Sequence, residues 1–262
     1  MKVYLRILFC MLLILPTSIY CFQSGIYQTP SYILSSGISL LSDSPIDFIN
    51  SPSETSKGIE SGLVYLYNEP ELVIKALGSS YKLKKFGFGV ALNNLNNDLI
   101  NENHFTLNSS YCLSSFSLGV NLRIINQEVK GYDTITGVTT DIGMSWNWKQ
   151  TTSSLTLSNL YPQKIDDIKL PFKTNIQFAY LPFDIVHLGL GIESEEDYPV
   201  QYSFSSKLKL TRALFFYSGY QTEVNRLNFG ILINYKRVSF KYAVSNHPEL
   251  ELTHALGIQF NL

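Results

Sequence analysis

This sequence has few cysteines, no excess of basic residues and little that could form a membrane-spanning helix. Of its three cysteines, Cys10 and Cys21 lie near the amino terminus, which leaves Cys112 alone and implies no disulfide framework. The formal net charge is −1 at pH 7 and no basic stripe occurs, so nucleic acid is not a predicted partner. Mean hydropathy is only +0.05, and a transmembrane helix would need about 20 consecutive apolar residues, which the sequence does not contain.

The longest apolar run lies at the amino terminus and is typical of a secretory signal. Lys2 and Arg6 precede the run Ile7 to Leu15, and small residues follow it. The run is too short to span a membrane as a helix. We therefore predict a signal peptide over residues 1–21, with cleavage near Cys21.

The remaining chain alternates apolar and polar residues, most clearly at its end. Leu256, Ile258, Phe260 and Leu262 alternate with small or polar residues, so they share one face of a strand. A strand that is apolar along one whole face suits a barrel standing in lipid. From residue 60 onward the chain divides into about 14 such segments, most of them near the length that a tilted strand needs to cross the hydrocarbon. The predicted strands are 60–68, 72–83, 85–95, 104–114, 116–127, 137–148, 153–160, 172–181, 185–193, 200–210, 213–222, 226–236, 238–245 and 252–262.

The links between these segments are alternately short and long, as in outer-membrane barrels, which have short periplasmic turns and longer external loops. Tight links such as Lys84-Lys85 and Lys236-Arg237 are basic, whereas long ones such as Asn93 to Asn103 and Glu193 to Pro199 carry the acidic residues. An even strand number with both ends in the periplasm closes an antiparallel barrel. We therefore predict one basic rim and one acidic rim.

The predicted fold class is all-β, a transmembrane antiparallel β-barrel of about 14 strands over residues 60–262, located in the cell outer membrane. A secreted soluble β-sandwich is the alternative, but its strands average about 5–6 residues and its turns lack the alternation of lengths. Residues 22–59 are rich in Ser, Gly and Pro and predict an irregular segment. That segment either plugs the lumen, which is our prediction, or hangs free as a periplasmic tail.

The alternation also predicts which charged residues line the lumen. A Lys or Arg on the lipid face at mid-membrane costs roughly 2–4 kcal/mol, so charges within strands should face inward. These charges either tune passage or pair with one another and with the plug. Small residues on the same face leave room for a ligand or for the plug. The predicted lumen-lining residues are Arg123, Asp141, Lys207, Lys209 and Lys241.

The sequence contains no convincing catalytic constellation, and we predict that the protein is not an enzyme. The four histidines lie apart from any acid and nucleophile at a suitable spacing. His247 and His254 flank one turn and suggest a metal pair, but no cysteine or third ligand accompanies them. We therefore predict no metal site, and no cofactor is implied.

Short motifs occur in the closing hairpin, at the opening of a mid-barrel strand and in the amino-terminal segment. They are Tyr242-Ala243-Val244, His247-Pro248-Glu249-Leu250 and Thr253-His254; Leu170-Pro171-Phe172; and Ser36-Gly37, Ser42-Asp43 and Asn50-Ser51-Pro52. These motifs resemble the PorV/PorQ group of outer-membrane barrels, which is related to the FadL-like fatty-acid transporters. The strongest resemblance lies in the closing hairpin, and a weaker one lies in the amino-terminal segment, where the family's Asn-Pro is interrupted here by Ser51.

The resemblance implies a 14-stranded barrel with the amino-terminal segment tucked inside. Some members of the group pass hydrophobic molecules, and others serve the type IX secretion machinery. We therefore expect a passage for small hydrophobic or amphipathic molecules, with outer-membrane lipid and a hydrophobic ligand as partners. The alternative is a barrel without transport that anchors or assembles secretion-system or envelope proteins.

Overall fold

The computed structural model describes residues 28–160, 164–165, 168–222 and 225–262. The predicted signal peptide, residues 1–21, lies outside the described residues. Residues 30–57 form short helical turns and irregular segments, and the chain from residue 58 onward is almost entirely β-strand.

Fourteen strands form a closed antiparallel barrel, in which the first strand pairs with the last. A separate short hairpin pairs Lys164–Ile165 with Ile168–Lys169. The predicted barrel is therefore confirmed, and the sandwich alternative is wrong. The strands are β1 (Gly58–Tyr65), β2 (Val73–Leu83), β3 (Phe86–Asn96), β4 (Ile100–Leu113), β5 (Phe116–Val129), β6 (Ile135–Trp148), β7 (Thr151–Ser158), the hairpin β8 (Lys164–Ile165) and β9 (Ile168–Lys169), β10 (Lys173–Phe183), β11 (Val186–Glu195), β12 (Gln201–Lys209), β13 (Leu214–Gln221), β14 (Arg226–Tyr235), β15 (Val238–Ser245) and β16 (Thr253–Asn261).

The two ends of the barrel differ in how they connect strands. At one end, which we call the turn end, the connections are the short segments 84–85, 114–115, 149–150, 184–185, 210–213 and 236–237. The opposite end, the loop end, carries most of the longer connections, of which 159–172 includes the β8–β9 hairpin. The start of β1 and the end of β16 both lie at the turn end, as the sequence predicts.

One predicted loop is much shorter than expected. The sequence predicts a loop from Asn93 to Asn103, but β3 and β4 leave only residues 97–99 between them. Their polar ends stay paired, and Asn94 Nδ2 donates to Asn103 Oδ1 across the ladder at 2.8 Å. Cross-strand amide contacts thus extend these strands beyond their apolar residues, where hydrophobic alternation gives no signal.

Along each strand one face is exposed and apolar and the other is buried and small or polar. In β14, Phe229 and Ile231 are exposed while Asn228 and Gly230 are buried. Strong alternation of this kind fixes the register, because a slip of one residue would exchange the two faces.

The amino-terminal segment occupies the lumen, and we call residues 28–57 the plug. It begins with a one-turn helix, α1 (Pro30–Leu34), whose start is capped by Thr29 Oγ1, which accepts from Tyr32 N at 3.1 Å. Gly37, with φ +81°, lets the chain reverse after the helix. Shorter 3-10 turns follow at Ser39–Leu41 and Asp47–Ile49.

Small residues on the wall let the plug approach closely. A Cβ added at Gly89 would lie 2.5 Å from the Phe48 ring, and one added at Gly119 would meet the Pro52 backbone. Phe48 is fully buried as a result. The room left by the inner-face glycines is therefore filled by the plug at this level of the barrel.

Candidate functional site

The charged residues of the lumen wall contact the plug or one another. Lys241 Nζ, in β15, donates to Glu60 Oε2 and to Ser31 Oγ, each at 2.6 Å. Ser31 donates to Glu60 Oε1 at 2.8 Å, and Ser44 donates to the other oxygen. We call these four residues the charged clasp, because one buried ion pair holds two separate points of the plug.

The charged clasp is almost completely dry. The Lys241 side chain is 3% exposed and that of Glu60 is 0% exposed. Charges removed from water to this degree persist only when they are paired and hydrogen-bonded. Glu60 does not stand out in the sequence, although its position between the outward-facing Ile59 and Ser61 would have placed it on the inner face.

Arg123 and Asp141 form a second buried ion pair, between β5 and β6. Arg123 Nη2 also donates to Asn159 Oδ1 at 2.9 Å, and Asn159 N donates to Asp141 Oδ1 at 3.1 Å. Asn159 Nδ2 in turn donates to Pro171 O at 2.7 Å. This pair therefore fixes the two ends of the long connection 159–172 at the loop end.

Two neighbouring amides hold the irregular part of the plug, and we call Asn108 and Asn121 the amide clasp. Asn121 Nδ2 donates to Phe48 O at 2.7 Å, and Asn108 Nδ2 donates to Pro52 O at 2.9 Å. Asn108 also donates to Asn121 Oδ1 at 2.8 Å, and Asn121 reaches Asp141 Oδ2 at 3.3 Å. A continuous series of polar contacts thus runs from the plug through the wall to the loop end.

Gln177, on β10, holds the plug three strands away from Asn121 along the wall. Its Oε1 accepts from Ser39 Oγ at 2.9 Å, and its Nε2 donates to Gly37 O at 3.2 Å. Neither Gln177 nor the amide clasp is predicted from the sequence, because an inward-facing amide looks like any other polar residue of an alternating strand.

The two remaining predicted lumen residues differ in environment. Lys207 is buried on the inner face of β12 and donates to Asp43 Oδ2 of the plug at 2.7 Å. Lys209, two residues further along the same face, is exposed at the turn end. The structure thus brings Lys207 and Lys241 to the plug and Arg123 to Asp141, and leaves Lys209 at the rim.

Burial changes the pKa of two acidic residues of the plug, Asp47 and Glu54. It raises the pKa of Asp47 well above its ordinary value, although the nearby Lys241 ammonium opposes the rise. Burial likewise raises the pKa of Glu54. The Asp47 carboxyl accepts from Ser44 N at 2.9 Å, so it helps to shape the plug beside the charged clasp.

Some side chains near the loop end are partly exposed, whereas the wall beside the plug is dry. At the level of the plug, wall residues such as Asn121, Asp141 and Gln177 are at most 1% exposed. At the loop end, part of the wall is buried as well, at Gln201, Gln221 and Thr253. The partly exposed residues there form a region that we call the mouth, defined by Tyr32, Leu66, Leu95, Lys173, Asn175 and Glu193.

One side of the mouth is apolar. Leu66, Leu95 and Tyr32 pack against a buried cluster that contains Val64 and Ile74. The cluster continues into the plug through Ile33 and Leu34 of α1, and onto the wall through Tyr217 and Leu232. An apolar surface therefore runs from the mouth to the plug helix.

The other side of the mouth is polar and charged. Lys173 Nζ lies 2.6 Å from Glu193 Oε1, and Asn175 Nδ2 donates to Glu193 Oε2 at 2.9 Å. These residues face each other across β10 and β11. The mouth thus offers apolar contact on one side and hydrogen bonds and charge on the other.

The two histidines that flank the last loop contact different residues. The His247 ring packs against Tyr67 with centroids 5.7 Å apart, whereas His254 Nδ1 lies 3.0 Å from the Tyr242 hydroxyl. Across the described ranges, no group of three or more His, Cys, Asp or Glu residues is arranged to hold a metal ion.

In the part of the chain that the structure describes, no helix has the length and hydrophobicity required to traverse a membrane.

No protein-family model and no curated protein sequence matches this chain. Solved structures do match it. A deletion mutant of the monoaromatic hydrocarbon channel TodX superposes with a TM-score of 0.70 at 9% identity, covering 92% of this chain and 100% of that one. The monoaromatic hydrocarbon channel CymD gives a TM-score of 0.67 at 9% identity, covering 91% and 98%.

A FadL homologue from Pseudomonas aeruginosa gives a TM-score of 0.64 at 11% identity, covering 95% of this chain and 99% of that one. Identities this low establish the fold alone. The described chain therefore has the fold of the FadL-like β-barrels, with a plug segment inside the lumen.

Proposed function

We propose that this protein is an outer-membrane channel that admits small hydrophobic or amphipathic molecules at the loop end. The observation that carries the proposal is the two-sided mouth, in which Leu66 and Leu95 are partly exposed across the barrel from the Lys173–Glu193 pair. Sites for small ligands are mostly apolar with a few placed polar groups that fix orientation. A molecule with an apolar body and a polar end matches that arrangement.

The fold supports the same proposal. The similar structures include the monoaromatic hydrocarbon channels TodX and CymD, which match nearly the whole of this chain. We place the turn end in the periplasm and the loop end outside, because outer-membrane barrels have short periplasmic turns. The finer assignment to the PorV/PorQ group stays a prediction from the closing hairpin, Tyr242 to His254.

Passage through the lumen requires part of the plug to move. At the level of the amide clasp the wall and plug are in direct contact, as the Gly119 and Pro52 backbones show. The predicted lumen-lining residues would then act indirectly. Lys241 and Lys207 hold the plug, and Arg123 and Asp141 hold the connection above it.

The test measures uptake of radiolabelled octanoate, which has an apolar body and a polar end, by cells that carry the protein in a host outer membrane with low background uptake. We expect uptake above that of the empty host, and a loss of at least half of it in the double variant Leu66→Asp/Leu95→Asp. Two carboxylates on the apolar side would remove the surface on which a hydrophobic molecule binds. The matched control is Leu99→Asp, since Leu99 is 65% exposed at a loop tip.

Equal uptake by all variants and the empty host would contradict the proposal. Recovery of the wild-type protein from its own membrane in a stoichiometric complex with envelope proteins, without bound small molecules, would also contradict it and would favour a scaffold. Heat-dependent mobility on denaturing gels would show that each variant forms the barrel.

A further inference from the structure

The turn end carries neighbouring exposed cations on one side of the barrel. The start of β1 lies between β16 and β2, because Gly58 pairs with Asn261 on one side and with Ser80 on the other. Strands lie about 4.8 Å apart, so the six strands from β14 to β3 span about 24 Å of the rim. We call this set the basic arc; it comprises Lys57, Lys84, Lys85, Lys236 and Arg237, all exposed.

Two of these cations lie against aromatic rings on the outer face of the barrel. Lys57 Nζ is 4.8 Å from the centre of the Tyr81 ring, and Lys236 Nζ is 5.4 Å from that of Tyr235. Tyr81 is 46% exposed and Tyr235 is 63% exposed. Charge and apolar surface therefore meet at the same level of the wall.

The surface immediately beside these rings is apolar. Leu83 is 55% exposed and Phe86 is 50% exposed, on either side of the Lys84-Lys85 turn. Phe260 adds a further ring on β16, at 45% exposure. The basic arc thus borders a continuous apolar band on the outside of the barrel.

The cations of the basic arc have no carboxylate partner among the described residues. Among the described residues, the Lys and Arg side chains that form ion pairs all lie on the inner face of the barrel. They are Arg123, Lys173, Lys207 and Lys241. The charge of the basic arc is therefore directed outward rather than neutralised within the described chain.

We propose that the basic arc binds the headgroup phosphates of anionic phospholipids in the membrane leaflet at the turn end. The acyl chains of the same lipids would lie against Tyr81, Phe86 and Tyr235. A Lys or Arg close to an anionic leaflet contributes a factor of about five in affinity. A single anionic lipid can contact the cations with its headgroup and the apolar band with its acyl chains. An acidic soluble protein would contact the cations only.

The proposal is independent of what passes through the lumen and requires only that the barrel stand in a bilayer. The probe is an equimolar mixture of phosphatidylglycerol and phosphatidylethanolamine with identical acyl chains, added to the full-length protein in nonionic detergent. Native mass spectrometry counts the lipids retained. The variant carries Lys57→Gln, Lys84→Gln, Lys85→Gln, Lys236→Gln and Arg237→Gln. The control carries Lys75→Gln and Lys130→Gln, two exposed lysines that lie away from the turn end.

We expect the wild type and the control to retain phosphatidylglycerol at least about fivefold more than phosphatidylethanolamine, and the variant to retain both about equally. Raising the salt concentration should reduce the wild-type preference, because exposed charges are screened. This second measurement needs no variant.

Equal retention of the two lipids by the wild type would overturn the proposal. So would a variant that folds, by heat-dependent mobility, and keeps the full preference. Binding of soluble polyglutamate with no preference between the two lipids would instead identify the basic arc as a surface for an acidic protein.

Discussion

The two halves of the plug are held in different ways, and the difference follows from their backbones. α1 forms its own hydrogen bonds, with Ile33 N donating to Thr29 O at 3.0 Å, and it packs Ile33 and Leu34 into the apolar cluster. The rest of the plug, residues 35–57, is its irregular half and presents main-chain carbonyls to the wall. The wall supplies side-chain amide donors for them: Asn121 Nδ2 donates to Phe48 O and Asn108 Nδ2 donates to Pro52 O.

Buried carbonyls cost free energy when no donor reaches them, whereas a helical turn leaves fewer of them unpaired. An irregular segment can therefore fill a lumen only if the wall provides donors at matching positions. The charged clasp joins the two halves, because Ser31 of α1 and Ser44 of the irregular half both bind Glu60.

The largest loss of stability is expected from Lys241→Met, which removes the counter-ion of Glu60, the carboxylate that binds both halves of the plug. Glu60 would remain buried without its counter-ion, at a cost of about 3–5 kcal/mol. We expect a lower unfolding midpoint in denaturant and faster hydrogen–deuterium exchange throughout residues 30–57. The measurement follows peptides from both halves of the plug in detergent.

The double variant Lys241→Met/Glu60→Gln is the control for that cost. It removes both charges, so most of the lost stability should return. If the double variant were as unstable as the single one, the hydrogen bond from Lys241 to Ser31 would matter more than the unpaired charge.

A smaller and local loss of stability is expected from Asn121→Ala. The variant leaves Phe48 O without its donor, at about 1–3 kcal/mol, and does not touch α1. Exchange should therefore accelerate in residues 46–53 and stay unchanged in residues 30–34. Equal acceleration in both segments would show that the plug opens as one unit, and the distinction between its halves would not hold.

Much of the barrel follows from the sequence alone. Alternation fixes which residues of a strand face inward, and it places Arg123, Asp141, Lys207 and Lys241 on the inner face where the structure has them. Lys209 has the same parity, but it lies one step from the turn and is exposed. The alternation of a strand shows which face a residue lies on. It does not show how far that residue lies from the end of the barrel, and therefore not whether it is buried.

The contacts of the plug could not be derived in the same way. Glu60, Asn108, Asn121 and Gln177 are ordinary inward-facing polar residues until the plug's path through the lumen is known. That path depends on contacts more than 100 residues apart, such as Gln177 with Ser39. No local pattern in the sequence reports such a contact.

The smallest expected effect is a change with pH in the stability of the irregular half of the plug. Because burial raises the pKa of Asp47, its stabilising contribution is complete at low pH and is lost as pH rises through the raised pKa. Glu54 acts in the same direction. Exchange in residues 43–54, corrected for the intrinsic rate, should therefore be slower at pH 5 than at pH 8.

The double variant Asp47→Asn/Glu54→Gln should show little of this dependence, since neither side chain can then lose a proton. Residues 30–34 contain no acid and provide the internal control in both proteins. Faster exchange at pH 5 than at pH 8 would show that Asp47 is held as a carboxylate by Lys241. The ion pair would then prevail over burial, and acidification would loosen the irregular half instead of tightening it.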